Sequence, residues 1–226
     1  MVVARSFWPN GSPGGERQYE YADCACEAGQ GMVIKRQQRR HDAACLPNSA
    51  PPKTFDNFKQ LPGTKQAFLL AKTYAENPYT TPILTLTGVP GCGKSHLLEA
   101  IGRRMLERGY YVCYTVGASL LDELRSSYDP ENESSFQDTF DRYDRAGLLI
   151  LDDPGAEKAS MWGMEKLYTL VNNRCKDCRL LAIATNLTHQ TMREHLGPRT
   201  ADRIWDTGSG LVAQAVITAG SYRTGK

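Results

Sequence analysis

The sequence predicts an α/β fold: a mainly parallel sheet of five strands with helices on both faces. Three observations carry that expectation. Short runs rich in Val, Ile and Leu recur between residues 83 and 217, and each is near-continuous rather than alternating, as strands buried on both faces are. Stretches of helical spacing separate these runs. The first run, residues 83–86, enters a glycine-rich turn and leaves it into a helical segment.

Taken in order, the chain begins with Gly, Pro and polar residues, and residues 1 to about 20 read as a mobile lead-in. A basic run follows at 35–41, with four cations and no acid between residues 35 and 40; an exposed helix face or a contact to phosphates would both suit it. Residues 46–52 have linker composition. The domain boundary is therefore drawn there, giving an N-terminal segment and linker, 1–50, and a main domain, 51–226. Residues 66–74 have amphipathic helical spacing, ended by Asn77-Pro78.

From Pro82 onward strands and helices alternate. Strand 83–87 leads to a helix from 94 to about 108, stopped by Gly109. Strand 111–116 precedes two helices, 119–128 and 135–145, split by the turn residues 129–132. Strand 148–153 leads to a helix near 162–174, and strands 180–185 and 211–217 complete the sheet. In such sheets ligands sit at the carboxyl ends of the strands, which is where the motifs below fall.

Composition sets the outer limits. Lys and Arg total 27 and Asp and Glu 25, a formal charge of +2, so any nucleic-acid contact must come from a local patch. No apolar run approaches the roughly 20 residues of a membrane span, and the N-terminus lacks a charged-then-apolar export pattern. Seven cysteines without such a pattern read as thiols or metal ligands in a reducing cytoplasm.

Gly88-Val89-Pro90-Gly91-Cys92-Gly93-Lys94-Ser95 has the Gly-x₄-Gly-Lys-Ser spacing of a phosphate-binding loop, and His96 follows within the helix. The glycines let the backbone turn its N–H groups onto an anion, with Cys92 offering its own N–H. Lys94 adds a charge for the outer phosphates, and the Ser95 hydroxyl can ligate Mg²⁺. The helix aims its positive end at the same place. A glycine-rich turn with a surface lysine is the plainer alternative.

Asp152 and Asp153 close the apolar run 148–151. The first acid would hold Mg²⁺ and the second orient or deprotonate a water, giving ATP or GTP hydrolysis. The alternative is that an aspartate caps the next helix. Asn186, ending the strand 180–185, would lie beside the γ-phosphate, or simply start a turn. Arg199 and Arg203 are surface charges, or one of them reaches a neighbouring subunit's nucleotide. Cys24, Cys26, His41 and Cys45 could supply four ligands to Zn²⁺, although the one-residue gap between the first two is short for such a site; a cysteine-containing turn is the alternative. Cys175 and Cys178 read as a helix end and turn.

The loop 88–95, the run 148–153 into Pro154-Gly155, Thr185-Asn186, Arg203 and Gly220-Ser221-Tyr222-Arg223 follow one another in the order found in one family. Over residues 54–223 the chain resembles AAA+ ATPases of the bacterial helicase-loader type, which include the IstB transposition helpers. The resemblance implies a P-loop NTPase core without a C-terminal lid domain. In it Gly88 to Ser95 is Walker A, Asp152 the Walker B metal residue and Asp153 the catalytic-acid position. Asn186 is the first sensor, Arg203 an arginine finger given in trans, and Arg223 the second sensor. It implies ATP and Mg²⁺ as cofactors, single-stranded DNA and a replicative helicase as partners, and a hexameric ring or spiral in the cytoplasm. The helices between 118 and 145 resemble the helical insertion of the initiator and loader branch. Asp153, where most AAA+ proteins have Glu, implies slow hydrolysis. A transposase helper is the nearest alternative; a small-molecule kinase and a zinc-binding nucleic-acid adaptor are more distant ones.

Overall fold

The computed structural model describes residues 3–7, 18–22, 44–129, 134–156 and 158–222. Its centre is an all-parallel sheet of β3 (Ile83–Gly88), β4 (Val112–Val116), β5 (Leu148–Asp152), β6 (Leu180–Thr185) and β7 (Val212–Ile217), in the order β4-β5-β6-β3-β7. The five expected strands are all present, with ends displaced by at most one residue from the sequence reading.

The three central strands β5, β6 and β3 are buried along nearly their whole length because their two faces pack against different helices, whereas the edge strands leave Val116 and Val216 exposed. On one side Leu84, Leu86, Leu148, Ile150, Ala182 and Ala184 pack with α1 (Lys65–Glu76) and α2 (Lys94–Glu107). On the other side the alternate residues Ile83, Leu149, Leu151, Leu181 and Ile183 pack with a second group of helices. These are α3 (Gly117–Ser126), α4 (Phe136–Asp144), α5 (Met161–Lys176), α6 (His189–Leu196) and α7 (Pro198–Trp205). The period-two division of one apolar run between two cores is what a doubly covered parallel sheet requires.

Two expectations are corrected. The opening residues, read as a mobile lead-in, contain β1 (Val3–Phe7) and β2 (Gln18–Ala22), paired antiparallel. The Gly/Pro-rich residues 9–15 that prompted the reading lie in sequence between two β-prone stretches. The supposed linker 46–52 is fastened down. Tyr114 N–H donates to Ala44 O at 2.9 Å, Leu46 packs on the first core, and Ser49 Oγ donates to Glu99 Oε1 at 2.5 Å. Its proline content does keep it out of helix and strand, but a buried carboxylate on α2 gives it partners.

One cation is built into the second core. Arg174, on α5, has no exposed surface, and it donates to the carbonyls of Tyr143, Asp144, Ala146 and Leu180 at 2.5–2.9 Å. It thereby satisfies the end of α4, where helical carbonyls lack partners, and ties that end to β6. Burial pulls its pKa down to about 10, still above neutrality, so the group stays charged.

Arg174→Ala should therefore lower stability by about 3–5 kcal/mol, since it strands several buried carbonyls at once. The check is a urea titration, in which the midpoint falls while the slope stays unchanged.

Candidate functional site

The parallel register brings the sequence motifs to one edge. Thr87 pairs with Thr185 and Asp152 with Ala184, so the loop after β3, the end of β5 and the residue after β6 are neighbours. Beyond them lies a cavity of about 490 Å³, bordered on this side by Lys94, Ser95, Asp152, Asp153 and Asn186.

The loop's shape depends on glycine at two points. A Cβ at Gly88 would come within 2.7 Å of Ile217 O and 2.9 Å of Cys92 Sγ. Gly93 is left-handed, with φ 101°, where it caps α2, and a Cβ there would meet the Phe58 ring at 3.0 Å. The first turn of α2 therefore starts at the cavity with no side chain in front of it, an arrangement suited to an anion.

Lys94 is buried. Its Nζ donates to Gly88 O at 2.8 Å, Val89 O at 2.9 Å and Asn186 Oδ1 at 2.5 Å. Asn186 Nδ2 donates in turn to the Asp153 carboxylate at 3.3 Å and 3.4 Å. Ser95 Oγ donates to Asp152 Oδ1 at 3.1 Å. Tyr114, which the sequence reading did not single out, donates its hydroxyl to Asp152 Oδ2 at 2.6 Å. Burial, and then the charge of Asp152, raise its pKa, so the phenol remains a donor. Nothing in the sequence marks it, because the contact depends on β4 lying beside β5.

The capping alternative for the acid pair does not hold. The helix after β5 begins at Met161 and is capped by Ser160, which accepts from Gly163 N–H. Asp153 instead has φ 48° and donates its N–H to Ala184 O at 2.8 Å. Burial, and then the charge of Asp152, push its carboxyl above the ordinary range, with Lys94 and Asn186 acting in the opposite sense. A carboxylate of raised basicity beside a hydroxyl–carboxylate pair is what metal-assisted attack by water needs. Ser95 and Asp152 are hard oxygen donors of the kind Mg²⁺ takes with a polyphosphate, so the residues fit that ion.

The segment after the supposed linker also borders the cavity: Lys53, Asn57, Phe58 and Lys59 line it, with Tyr222. His96 fastens this segment, its Nε2 lying 2.9 Å from Thr54 O and 3.1 Å from Asn57 Oδ1. Burial lowers the His96 pKa, which favours the neutral ring. Tyr222 N–H donates to Gly91 O at 3.0 Å, and its hydroxyl donates to Lys59 O. Glu99, one turn further along α2, is fully buried and accepts from Ser49, from Lys53 N–H at 3.1 Å and from Arg103 at 2.7 Å.

Other expected site residues lie elsewhere. Arg199 and Arg203 stand over the Tyr168 ring on α5, at 5.9 Å and 5.8 Å, and neither borders this cavity. Arg223, Cys24, Cys26 and His41 fall outside the described residues. Cys45 is an exposed free thiol, and among the described residues no group of three or more His, Cys, Asp or Glu could hold a metal ion. No helix among the described residues is long and apolar enough to cross a membrane.

A phosphate-binding loop before a helix, an acid pair at the end of β5, and the order β4-β5-β6-β3-β7 define an AAA+-like P-loop nucleotide-binding protein. The model of the IstB-like ATP binding protein family matches residues 33–223, and the chain belongs to that family. It is 31% identical over 161 residues to the uncharacterized protein YdaV of Escherichia coli (strain K12), covering 70% of this chain and 64% of that protein. It is 26% identical over 154 residues to the replicative helicase loader DnaC of Buchnera aphidicola subsp. Acyrthosiphon pisum, covering 67% and 62%. The chain thus spans under two thirds of either relative. A crystal structure of the DnaC helicase loader superposes with a TM-score of 0.63, with 22% identity over 74% of this chain and 97% of that one; at that identity the likeness is one of fold.

Hydrogen bonds from Ser49 and Arg103 outweigh the burial that would raise the Glu99 pKa, and hold it below its ordinary value. A depressed acid stabilises the fold above its unfolded pKa of about 4.3 and loses that contribution as pH falls through the lower folded value. Hydrogen exchange should accordingly show the Lys53 amide losing protection, beyond the intrinsic pH effect on exchange, as pH drops below about 4. Glu99→Gln should weaken that protection at neutral pH.

Proposed function

We propose that the chain is an ATP-dependent helicase loader, which binds and slowly hydrolyses ATP with Mg²⁺ and delivers a replicative helicase to single-stranded DNA. The observation that supports it most is the convergence of Lys94, Ser95, Asp152, Asp153 and Asn186 on one cavity, taken with relatives named as helicase loaders. In this reading the backbone of Gly88 to Ser95 holds the phosphates, Lys94 neutralises the outer ones, and Ser95 and Asp152 hold Mg²⁺. Asp153 and Asn186 orient the attacking water. Asn57, Phe58, Lys59 and Tyr222 also border the cavity, and they receive the base.

Arg203 acts in trans in a homo-oligomeric ring or spiral in the cytoplasm, and Arg223 completes the site. Residues 1–50 form the partner-binding segment, and 51–226 the ATPase domain. The helices α3 and α4 face DNA. Gly117, at the start of α3, has room for no side chain, since a Cβ would lie 2.6 Å from Pro154 Cα; that contact joins the loop after the acid pair to the DNA-facing helices. A second reading, a helper that brings a transposase to target DNA, is favoured by the family match itself.

Lys94→Ala should weaken ATP binding by about a hundredfold or more, because charged hydrogen bonds of about 1.5–3 kcal/mol each are lost. Calorimetric titration with ATP and Mg²⁺ checks it. Arg203→Ala should bind ATP normally yet lose the hydrolysis that assembly stimulates; normal stimulated turnover would remove the trans role. Co-purification from the native host with ATP present should bring down a hexameric helicase, and a transposase in its place would select the second reading.

A further inference from the structure

We infer that Tyr114 is a positioning residue for the magnesium site: its hydroxyl fixes the rotation of the Asp152 carboxylate from behind, so that the opposite oxygen stays turned toward Ser95. The inference rests on the assignment of Asp152 and Ser95 to Mg²⁺ under the proposed function.

The two oxygens of Asp152 are held by different hydroxyls from opposite sides. Ser95 Oγ reaches Oδ1 at 3.1 Å, and Tyr114 reaches Oδ2 at 2.6 Å. The terminal torsion of an aspartate is broad, so a carboxylate held at one oxygen swings over a wide range of angles, and with it the direction in which its lone pairs face the metal. A second, short, charge-assisted hydrogen bond removes that freedom. Tyr114 is suited to the task because its ring and its backbone are both held. It lies on β4, two residues before Val116, which pairs with Asp152. Its ring is buried in the first core with 6% exposure, and its backbone N–H is tied to Ala44 O at 2.9 Å.

A phenylalanine would fill the same space, and the hydroxyl bonds to the Asp152 carboxylate. Tyr114 does not border the cavity, so it acts on the metal through Asp152 and not by contact. Groups that hold a metal ligand in orientation commonly change metal affinity by about 10–100-fold when removed.

The test uses the full chain and a fluorescent N-methylanthraniloyl-ADP as probe, with Mg²⁺ titrated at fixed nucleotide. Tyr114→Phe should bind the probe like the parent in EDTA, while the Mg²⁺ concentration that half-saturates the tightening rises about tenfold. In an Asp152→Asn background the same substitution should add nothing, because its effect passes through that carboxylate. An unchanged Mg²⁺ midpoint, or an undiminished effect in the Asp152→Asn background, would overturn the inference. Ser95→Ala separates the two levels: if it shifts the Mg²⁺ midpoint and Tyr114→Phe does not, Tyr114 alone is misassigned. If neither shifts it, the magnesium site is misassigned as well. Should Tyr114→Phe fail to fold, 3-fluorotyrosine placed at position 114 keeps the shape, and its ¹⁹F resonance should move when Mg²⁺ joins the bound nucleotide. A resonance that stays fixed would overturn the inference.

Discussion

Parallel pairing of β6 with both β3 and β5 is the constraint on which the site depends. Residues separated by as much as about a hundred positions in sequence become neighbours because Thr87 meets Thr185 and Asp152 meets Ala184. A slip of one residue would exchange the two faces of the strand. Ile183 would then move into the core that holds Leu84 and Leu86, and Asn186 would lose Lys94. The apolar faces that fix the register for packing reasons thus also set the distances among the polar groups at its edge.

Among the described residues three charges are buried around this frame, each with its own partners. Lys94 is held by carbonyls of its own loop and by Asn186. Glu99 collects a hydroxyl, an amide and a guanidinium, and Arg174 is held by four carbonyls. Burying a charge is costly unless such donors or acceptors surround it. Each of the three joins segments that the hydrophobic cores alone would leave loosely placed: the glycine loop to β6, residues 49–53 to α2, and the end of α4 to α5.

Most of the frame was legible in the sequence because parallel strands leave long apolar runs, and the glycine loop and acid pair announce themselves by residue type. The short helices α6 and α7 went unassigned. Each spans eight residues, little more than two turns, and a segment that short is hard to tell from a loop by spacing alone, even though α7 buries Thr200, Ala201 and Ile204 on one face. Arg174 was read simply as the end of a helix, since nothing local says that its side chain turns inward. Tyr114 and Glu99 are further from reach: Tyr114 bonds a residue 38 positions away and Glu99 one 50 positions away, and only the folded register creates those partners. Proline content correctly indicated an irregular path for residues 46–52, but composition says nothing of whether such a path is free or fastened.

The central claim is that one polyphosphate and one Mg²⁺ are gripped together by the glycine loop and the first acid of the pair. A crystal of the chain grown with a non-hydrolysable ATP analogue and Mn²⁺ in place of Mg²⁺ tests it directly, since the anomalous signal locates the metal. The account predicts a metal peak between the phosphates and the Ser95 and Asp152 side chains, with the phosphates against Gly91 to Ser95. A nucleotide bound elsewhere, or a metal away from both side chains, would contradict it.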